Sequence, residues 1–283
     1  MSEVNKTFAT GFKDYELIDA GGNRKLERWG EVITIRPERQ AYFQSGMPFD
    51  EWNEIAHLEF VLDGKKSGKW KERIPLPKKD WEIGFRDARF ILRTTNYKHI
   101  GLFPEQVTNW KVIDDFVKPE HKVLNLFAYT GASSIISKLN GADVTHVDSV
   151  KQLISWAREN MEASSLDGIR WVHEDAMKFA QRELKRGNKY DLILMDPPAW
   201  GVGAKKEKWK IEDKLDDLMN IAAQLLSKGG LLIMNTYSPK VELYKMESLA
   251  KSLFDSFELS ELWMETFTKK EVFYGHLLRA RKA

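Results

Sequence analysis

The sequence predicts an α/β protein: a mostly parallel sheet wrapped by helices and closed by an antiparallel hairpin, preceded by a small, mostly β module. Three observations carry that prediction. From about residue 110, short continuous apolar runs alternate with helical segments, as in parallel strands covered on both faces. Near the end, residues 259–267 and 272–279 flank Thr268-Lys269-Lys270 and read as a hairpin. Residues 1–105 instead break into short strands between turn residues.

In the first module, residues 15–18 form a strand run followed by the turn Gly21-Gly22-Asn23, and residues 32–35 form another, stopped by Pro37. Residues 58–62 alternate and end in Asp63-Gly64, a strong hairpin signal; Pro75 and Pro77 punctuate the next, irregular stretch. The second module is placed at 106–283, with strands at 123–127, 144–147, 170–173, 192–195 and 231–235. Helices are expected near 132–139, 150–163, 176–186 and 211–227, the last stopped by Gly229-Gly230 in a left-handed cap. With the terminal hairpin, this makes a seven-stranded sheet.

Composition narrows the chemistry. At 283 residues the chain can bury a real core, and 42% hydrophobic with 30% charged residues is a globular balance. The polar opening MSEVNKTFATGFKDYE does not resemble a signal peptide, and no apolar run is long enough for a bilayer, so a cytoplasmic address and no membrane partner are expected. The absence of cysteine excludes disulfides, thiolate metal sites and a cysteine nucleophile. The six histidines lack ligand spacing, so no metal is expected. The oligomeric state is left open.

Net charge is only +2, but residues 61–100 hold eleven basic side chains (Lys65, Lys66, Lys69, Lys71, Arg73, Lys78, Lys79, Arg86, Arg89, Arg93, Lys98) against five acids. Trp70, Trp81, Phe85 and Phe90 are interleaved with them. Such a window reads either as a phosphate-binding, base-stacking surface or as a solvated hairpin face with aromatics turned into a core.

Ligands of open parallel sheets sit beyond the carboxyl ends of the strands. After the first strand comes Asn125-Leu126-Phe127-Ala128-Tyr129-Thr130-Gly131-Ala132, a tight strand-to-helix turn where Gly131 permits close approach. It is not the GxGxxG fingerprint, which disfavours a dinucleotide. After the second strand stands Asp148, 23 residues beyond Asn125 and followed by Ser149. Its carboxylate suits two ribose hydroxyls, or else caps the next helix. After the third strand, Asp175 and Ala176 offer a similar choice between an adenine amino group and a helix cap. After the fourth strand comes Asp196-Pro197-Pro198-Ala199-Trp200. Two prolines lock the backbone and remove two donors, leaving the Asp196 side chain and the Pro197 carbonyl as fixed acceptors. Trp200 can stack on an extruded base, or fill core in a rigid turn. The stretch Gly201–Lys210 reads as a mobile lid or as a solvent loop leading into the next helix.

In that order and spacing, VLNLFAYTGASS, THVDSV and YDLILMDPPAW resemble the class I S-adenosylmethionine-dependent methyltransferases, and among them the bacterial large-subunit (23S) ribosomal RNA methyltransferases. The likeness spans about residues 97–283 and includes His99-Ile100-Gly101-Leu102-Phe103-Pro104-Glu105-Gln106. It implies a Rossmann-like methyltransferase fold and S-adenosyl-L-methionine as cofactor. It also implies Phe103 and Gln106 at the methionyl end, Asp148 on ribose and Asp175 on adenine. Many class I enzymes carry an acid where Asn125 stands; an amide oxygen accepts from the ammonium without formal charge, so backbone carbonyls or Glu105 must contribute. The aromatic two residues beyond the second proline, with Ala199 between, is similar to the pattern of the large-subunit RNA enzymes.

The expected function is therefore methylation of an RNA base, with ribosomal RNA as partner. Methylation of a pyrimidine at carbon 5 ordinarily needs a thiolate, so a nitrogen is the expected target. The alternatives are a methyltransferase for a small molecule or protein side chain, and a non-catalytic RNA-binding factor that has kept the fold.

Overall fold

A computed structural model describes residues 4–64, 67–202 and 208–283. The chain forms two compact units: one of Phe8–Thr108 and Leu262–Tyr274, the other of Met1–Thr7, Asn109–Glu261 and Gly275–Ala283.

After β1 (Asn5–Phe8) come β2 (Tyr15–Gly21), β3 (Arg24–Trp29) and β4 (Val32–Pro37), then α1 (Phe49–Ile55), β5 (Leu58–Leu62) and β6 (Gly68–Glu72). Strands β2-β3-β4-β5-β6 form one sheet in that order, and β7 (Trp81–Phe85) with β8 (Ala88–Leu92) forms a separate hairpin. The β2–β3 turn is dictated by its residues: Gly22 (φ 56°) and Asn23 (φ 60°) both occupy the left-handed region that a two-residue hairpin loop of matching twist demands. Leu26, Ile35, Trp52 and Ala56 pack beneath this sheet. Buried Asp19 accepts from Trp52 Nε1 (3.1 Å), from the Met47 amide (2.7 Å) and from the Thr268 hydroxyl. Beside it lies a charge cluster: Arg36 grips Glu27 through two nitrogens (2.7 and 2.8 Å), and Lys25 Nζ donates to Tyr274 Oη (3.0 Å) while lying 3.2 Å from Glu27. Burial pulls the Glu27 carboxyl upward, but Arg36 and Lys25 outweigh it and hold it down at about 2.

A 3-10 turn (Pro104–Gln106) leads into α2 (Val107–Phe116), β9 (Lys122–Leu126), α3 (Ala132–Leu139), β10 (Asp143–Asp148) and α4 (Lys151–Ala163). Next come β11 (Arg170–His173), α5 (Ala176–Lys185), β12 (Tyr190–Met195), the two-stranded hairpin β13 (Trp200–Val202) and β14 (Lys208–Lys210), and α6 (Ile211–Leu225). The chain then forms β15 (Leu226–Thr236), α7 (Leu243–Leu253), β16 (Ser256–Glu265) and β17 (Glu271–Arg281). The main sheet runs β1-β16-β17-β15-β12-β9-β10-β11. Strands β11, β10, β9, β12 and β15 are parallel, and β17 pairs antiparallel with β15. This is the expected Rossmann-like methyltransferase sheet, with an eighth strand, β1, added at the edge. Strand order reverses between β9 and β12, where such sheets bind their ligands. Leu124, Phe179, Leu215, Leu232 and Met246 lie in the core of this unit.

Gly229-Gly230 departs from the expectation. The helix already ends at Leu225, and Leu226 is extended. Gly229 (φ 77°) lies inside β15, where the β12–β15 register slips, so the pair absorbs a bulge and does not cap a helix.

Candidate active site

The loop after β9 is held in an uncommon shape. Phe127 (φ 57°), Tyr129 (φ 53°) and Gly131 (φ 85°) are all left-handed, at intervals of two. A neighbouring strand and helix fasten it: the Ala128 amide donates to the Val147 carbonyl of β10 (3.1 Å), and Asn160 Nδ2 of α4 donates to the Thr130 carbonyl (2.9 Å). Gly131 is required twice over. Its φ disfavours side chains, and a Cβ there would come 2.9 Å from Ala157 Cβ. Asn125, on β9, directs Nδ2 to Ser134 Oγ (2.9 Å).

Asp148 closes β10 and is buried. One carboxylate oxygen accepts from the Tyr129 amide (2.9 Å) and the other from the Val150 amide (2.8 Å). Burial raises its pKa, and these amides oppose the rise. A carboxylate has about four acceptor positions, and the Tyr129, Val150 and Ser149 amides do not use all of them. Ser149 is half-buried, and its carbonyl lies 3.1 Å from His173 Nε2. Half-buried Asp175 caps α5 by accepting from the Lys178 amide (2.9 Å), and Ala176 opens that helix, buried. Both acids thus hold the helix or loop beside them, as a strand-to-helix junction permits.

Asp196 follows β12. Protein crowds it, and desolvation pushes its carboxyl up to about 6. Solvent nevertheless reaches the residue, which works against that rise. Pro197 is buried and Pro198 exposed. Trp200 is 53% exposed, so it does not fill core. Gly201–Lys210 forms the β13–β14 hairpin, with residues 203–207 outside the described residues. Trp209 on β14 donates its indole N–H to the Pro198 carbonyl (2.6 Å) and packs on Phe127 (centroids 4.9 Å apart, 54° between planes). Sequence reasoning gives Trp209 no such role, because its partners come from distant segments.

Phe103, Glu105 and Gln106 belong to the other unit, on and just before the 3-10 turn, and are half-buried. Phe103 stacks on His99 (5.2 Å, 57°), whose imidazole burial and nearby Arg36 push down to about 3.

In the basic window, the second of the two readings fits the aromatics. Trp81, Phe85 and Phe90 are buried, and half-buried Trp70 donates to the Tyr97 carbonyl (3.0 Å). Arg73, Arg89 and Arg93 pair with Glu59, Glu82 and Asp80. Lys65 and Lys66 lie outside the described residues. Among the described residues no group of three acids or histidines could hold a metal ion, and no helix is long and apolar enough to cross a membrane.

One unit therefore gathers Asn125, the 127–131 loop, Asp148, Ser149, Asp175, Ala176 and Asp196–Trp200 at the carboxyl ends of four neighbouring parallel strands. Residues 56–253 match the model of the S-adenosylmethionine-dependent methyltransferase family. The crystal structure of a SAM-dependent methyltransferase from Agrobacterium tumefaciens superimposes with a TM-score of 0.92 at 34% identity, covering 99% of this chain and 94% of that one. A methyltransferase complexed with SAH gives 0.73 at 16% identity over 96% and 76% of the two chains, a likeness of fold. Among sequence relatives, ribosomal RNA large subunit methyltransferase K/L of Pseudoalteromonas atlantica is 29% identical over 253 residues, 82% of this chain but 35% of that protein. The K/L protein of Shewanella frigidimarina is 31% identical over 160 residues, 55% of this chain and 22% of its own length. The chain thus spans about a third or less of these relatives' length. A strand-end acid with spare acceptor capacity, a glycine-permitted loop and an Asp-Pro-Pro corner across the switch point are compatible with the cofactor that this family uses. The chain belongs to the S-adenosylmethionine-dependent methyltransferases, enzymes that use S-adenosyl-L-methionine as cofactor.

Proposed function

We propose that the enzyme methylates a nitrogen of an RNA base, with large-subunit ribosomal RNA as substrate, in a cytoplasmic setting. The observation that carries the reading is the Asp196-Pro197-Pro198 corner, with exposed Trp200 directly behind it, beside the loop after β9. The relatives' names point to ribosomal RNA.

In this reading Asp148 holds the ribose hydroxyls, Asp175 the adenine amino group, and the backbone of 127–131 wraps the adenosyl moiety. Asn125 Oδ1 accepts from the ammonium, with Phe103, Glu105 and Gln106 at the methionyl end. When bound, S-adenosylmethionine supplies a methyl group already activated by its sulfonium. The residues need only align and shield the attack. The Asp196 carboxylate and the Pro197 carbonyl accept from the attacking nitrogen's N–H, and Trp200 stacks on the base. As nitrogen gains the methyl carbon it loses a proton, which leaves through Asp196 or to water, while the C–S bonding pair stays on sulfur.

The test is transfer of labelled methyl to ribosomal RNA from a strain lacking the gene, followed by nucleoside mass spectrometry. An N-methylated nucleoside missing in that strain and restored by the enzyme supports the reading; 5-methylcytosine or no labelled RNA sinks it.

A second reading, transfer to a small molecule or protein side chain, draws support from the basic window, where Trp81, Phe85 and Phe90 are buried and three of the four arginines are paired with acids. The two readings differ in salt dependence, since RNA binding through several phosphates weakens steeply as salt rises. The third reading, an RNA-binding factor without activity, predicts no transfer at all.

A further inference from the structure

An asparagine facing an ammonium has a problem of direction. A carboxylate offers two equivalent acceptors, but an amide offers one acceptor and one donor group, and a half-turn of the side chain exchanges them. Whatever fixes that half-turn decides whether the site attracts or repels the cation.

Asn125 lies in register beside His146 of β10, with Ser134 in the first turn of α3 next to both. Asn125 Nδ2 donates to Ser134 Oγ (2.9 Å), and Ser134 Oγ lies 3.1 Å from His146 Nδ1. The three residues are 5%, 0% and 0% exposed. A hydroxyl has one proton. Having accepted from the amide, Ser134 gives its own proton to Nδ1, which must therefore be bare. His146 then carries its hydrogen on Nε2, which has no hydrogen-bond partner and belongs to a ring set against Trp171 (4.8 Å, 61°). Burial keeps the imidazole neutral, pushing its pKa down to about 3. A proton on Nδ1 would make it a donor and reverse the order of donors and acceptors.

We propose that Ser134 and His146 are positioning residues that lock the Asn125 amide with its oxygen toward the cofactor's ammonium. The inference rests on the assignment of Asn125 under the proposed function. It explains how an uncharged side chain serves at a position where related enzymes use an acid: the direction of one dipole, fixed by a buried one-way chain, replaces a charge.

Calorimetry with two ligands tests it: S-adenosylhomocysteine, and 5′-methylthioadenosine, which lacks the ammonium and carboxylate. Ser134→Ala should weaken S-adenosylhomocysteine by about two- to tenfold, the scale of one hydrogen bond, and leave 5′-methylthioadenosine within about twofold. In an Asn125→Asp background, where either oxygen accepts, adding Ser134→Ala should change neither ligand. His146→Asn repeats the comparison from the other end of the chain should Ser134→Ala not fold. Equal losses for both ligands, or a Ser134→Ala loss undiminished beside Asn125→Asp, would overturn the proposal. If Asn125→Ala leaves S-adenosylhomocysteine affinity unchanged, Asn125 does not meet the ammonium, and the proposal falls with that assignment.

Discussion

Trp209 rests on Phe127 at a centroid distance of 4.9 Å while its indole N–H holds the Pro198 carbonyl. One side chain thus couples the loop after β9 to the Asp196-Pro197-Pro198 corner. Trp209→Phe keeps the ring contact and removes the hydrogen bond. It should lower kcat by about two- to tenfold with little change in S-adenosylhomocysteine affinity. An unchanged kcat in steady-state assays would show that the corner holds itself.

Asp148 supports the loop and, under the proposed function, the ligand as well. Asp148→Ala should weaken S-adenosylhomocysteine in calorimetry by about ten- to a hundredfold, as expected for charged hydrogen bonds. A thermal melt will also fall, because the Tyr129 and Val150 amides lose their acceptor. Unchanged affinity would remove the ribose assignment.

Asp196 titrates within reach of neutral pH. Its pKa is raised to about 6, so the accepting carboxylate is present above that value and lost as pH falls through it. The pH profile of kcat/KM, which reports the unliganded enzyme, should show an acid limb above the ordinary carboxylate range and no higher than about 6. Bound sulfonium favours the carboxylate, so the limb in kcat should lie lower. Asp196→Ala should bind cofactor nearly normally and turn over poorly. Surviving turnover would reduce Asp196 to a turn residue.

Glu27 is shifted the other way, and its titration makes stability pH-dependent. Its folded pKa is depressed from 4.5 to about 2, so its contribution is complete above about 4.5 and disappears as pH falls toward 2. Glu27→Ala, which leaves Arg36 buried without its partner, should cost about 3–5 kcal/mol in denaturant unfolding at neutral pH. It should also flatten the acid dependence; a wild-type slope would place that dependence elsewhere.

Strands β12 and β15 were legible as continuous apolar runs, and β11 falls at residues 170–173 as expected although its sequence, RWVH, is only partly apolar. The strand-end residues were legible because topology brings them to one rim whatever the details of packing. Hidden elements gave weak signals. Helix α7 buries only Met246 and Ala250, too sparse a stripe to read, while α1 has seven residues and buries only Trp52. The polar strand β1 is recruited by pairing along the sheet edge and has no apolar pattern of its own. Ser134, His146 and Trp209 act through neighbours on other elements, so their work appears only once the chain is folded.

Asp19 is joined to Thr268, and Lys25 to Tyr274, each across 249 positions of sequence. During synthesis β2 and β3 therefore wait for the hairpin tip that completes their unit, which is made 249 positions later. The buried carboxylate and ammonium must stay hydrated in the nascent chain until then. A truncation before Leu262 would deprive the amino-terminal unit, and not merely the carboxyl-terminal one, of its final piece.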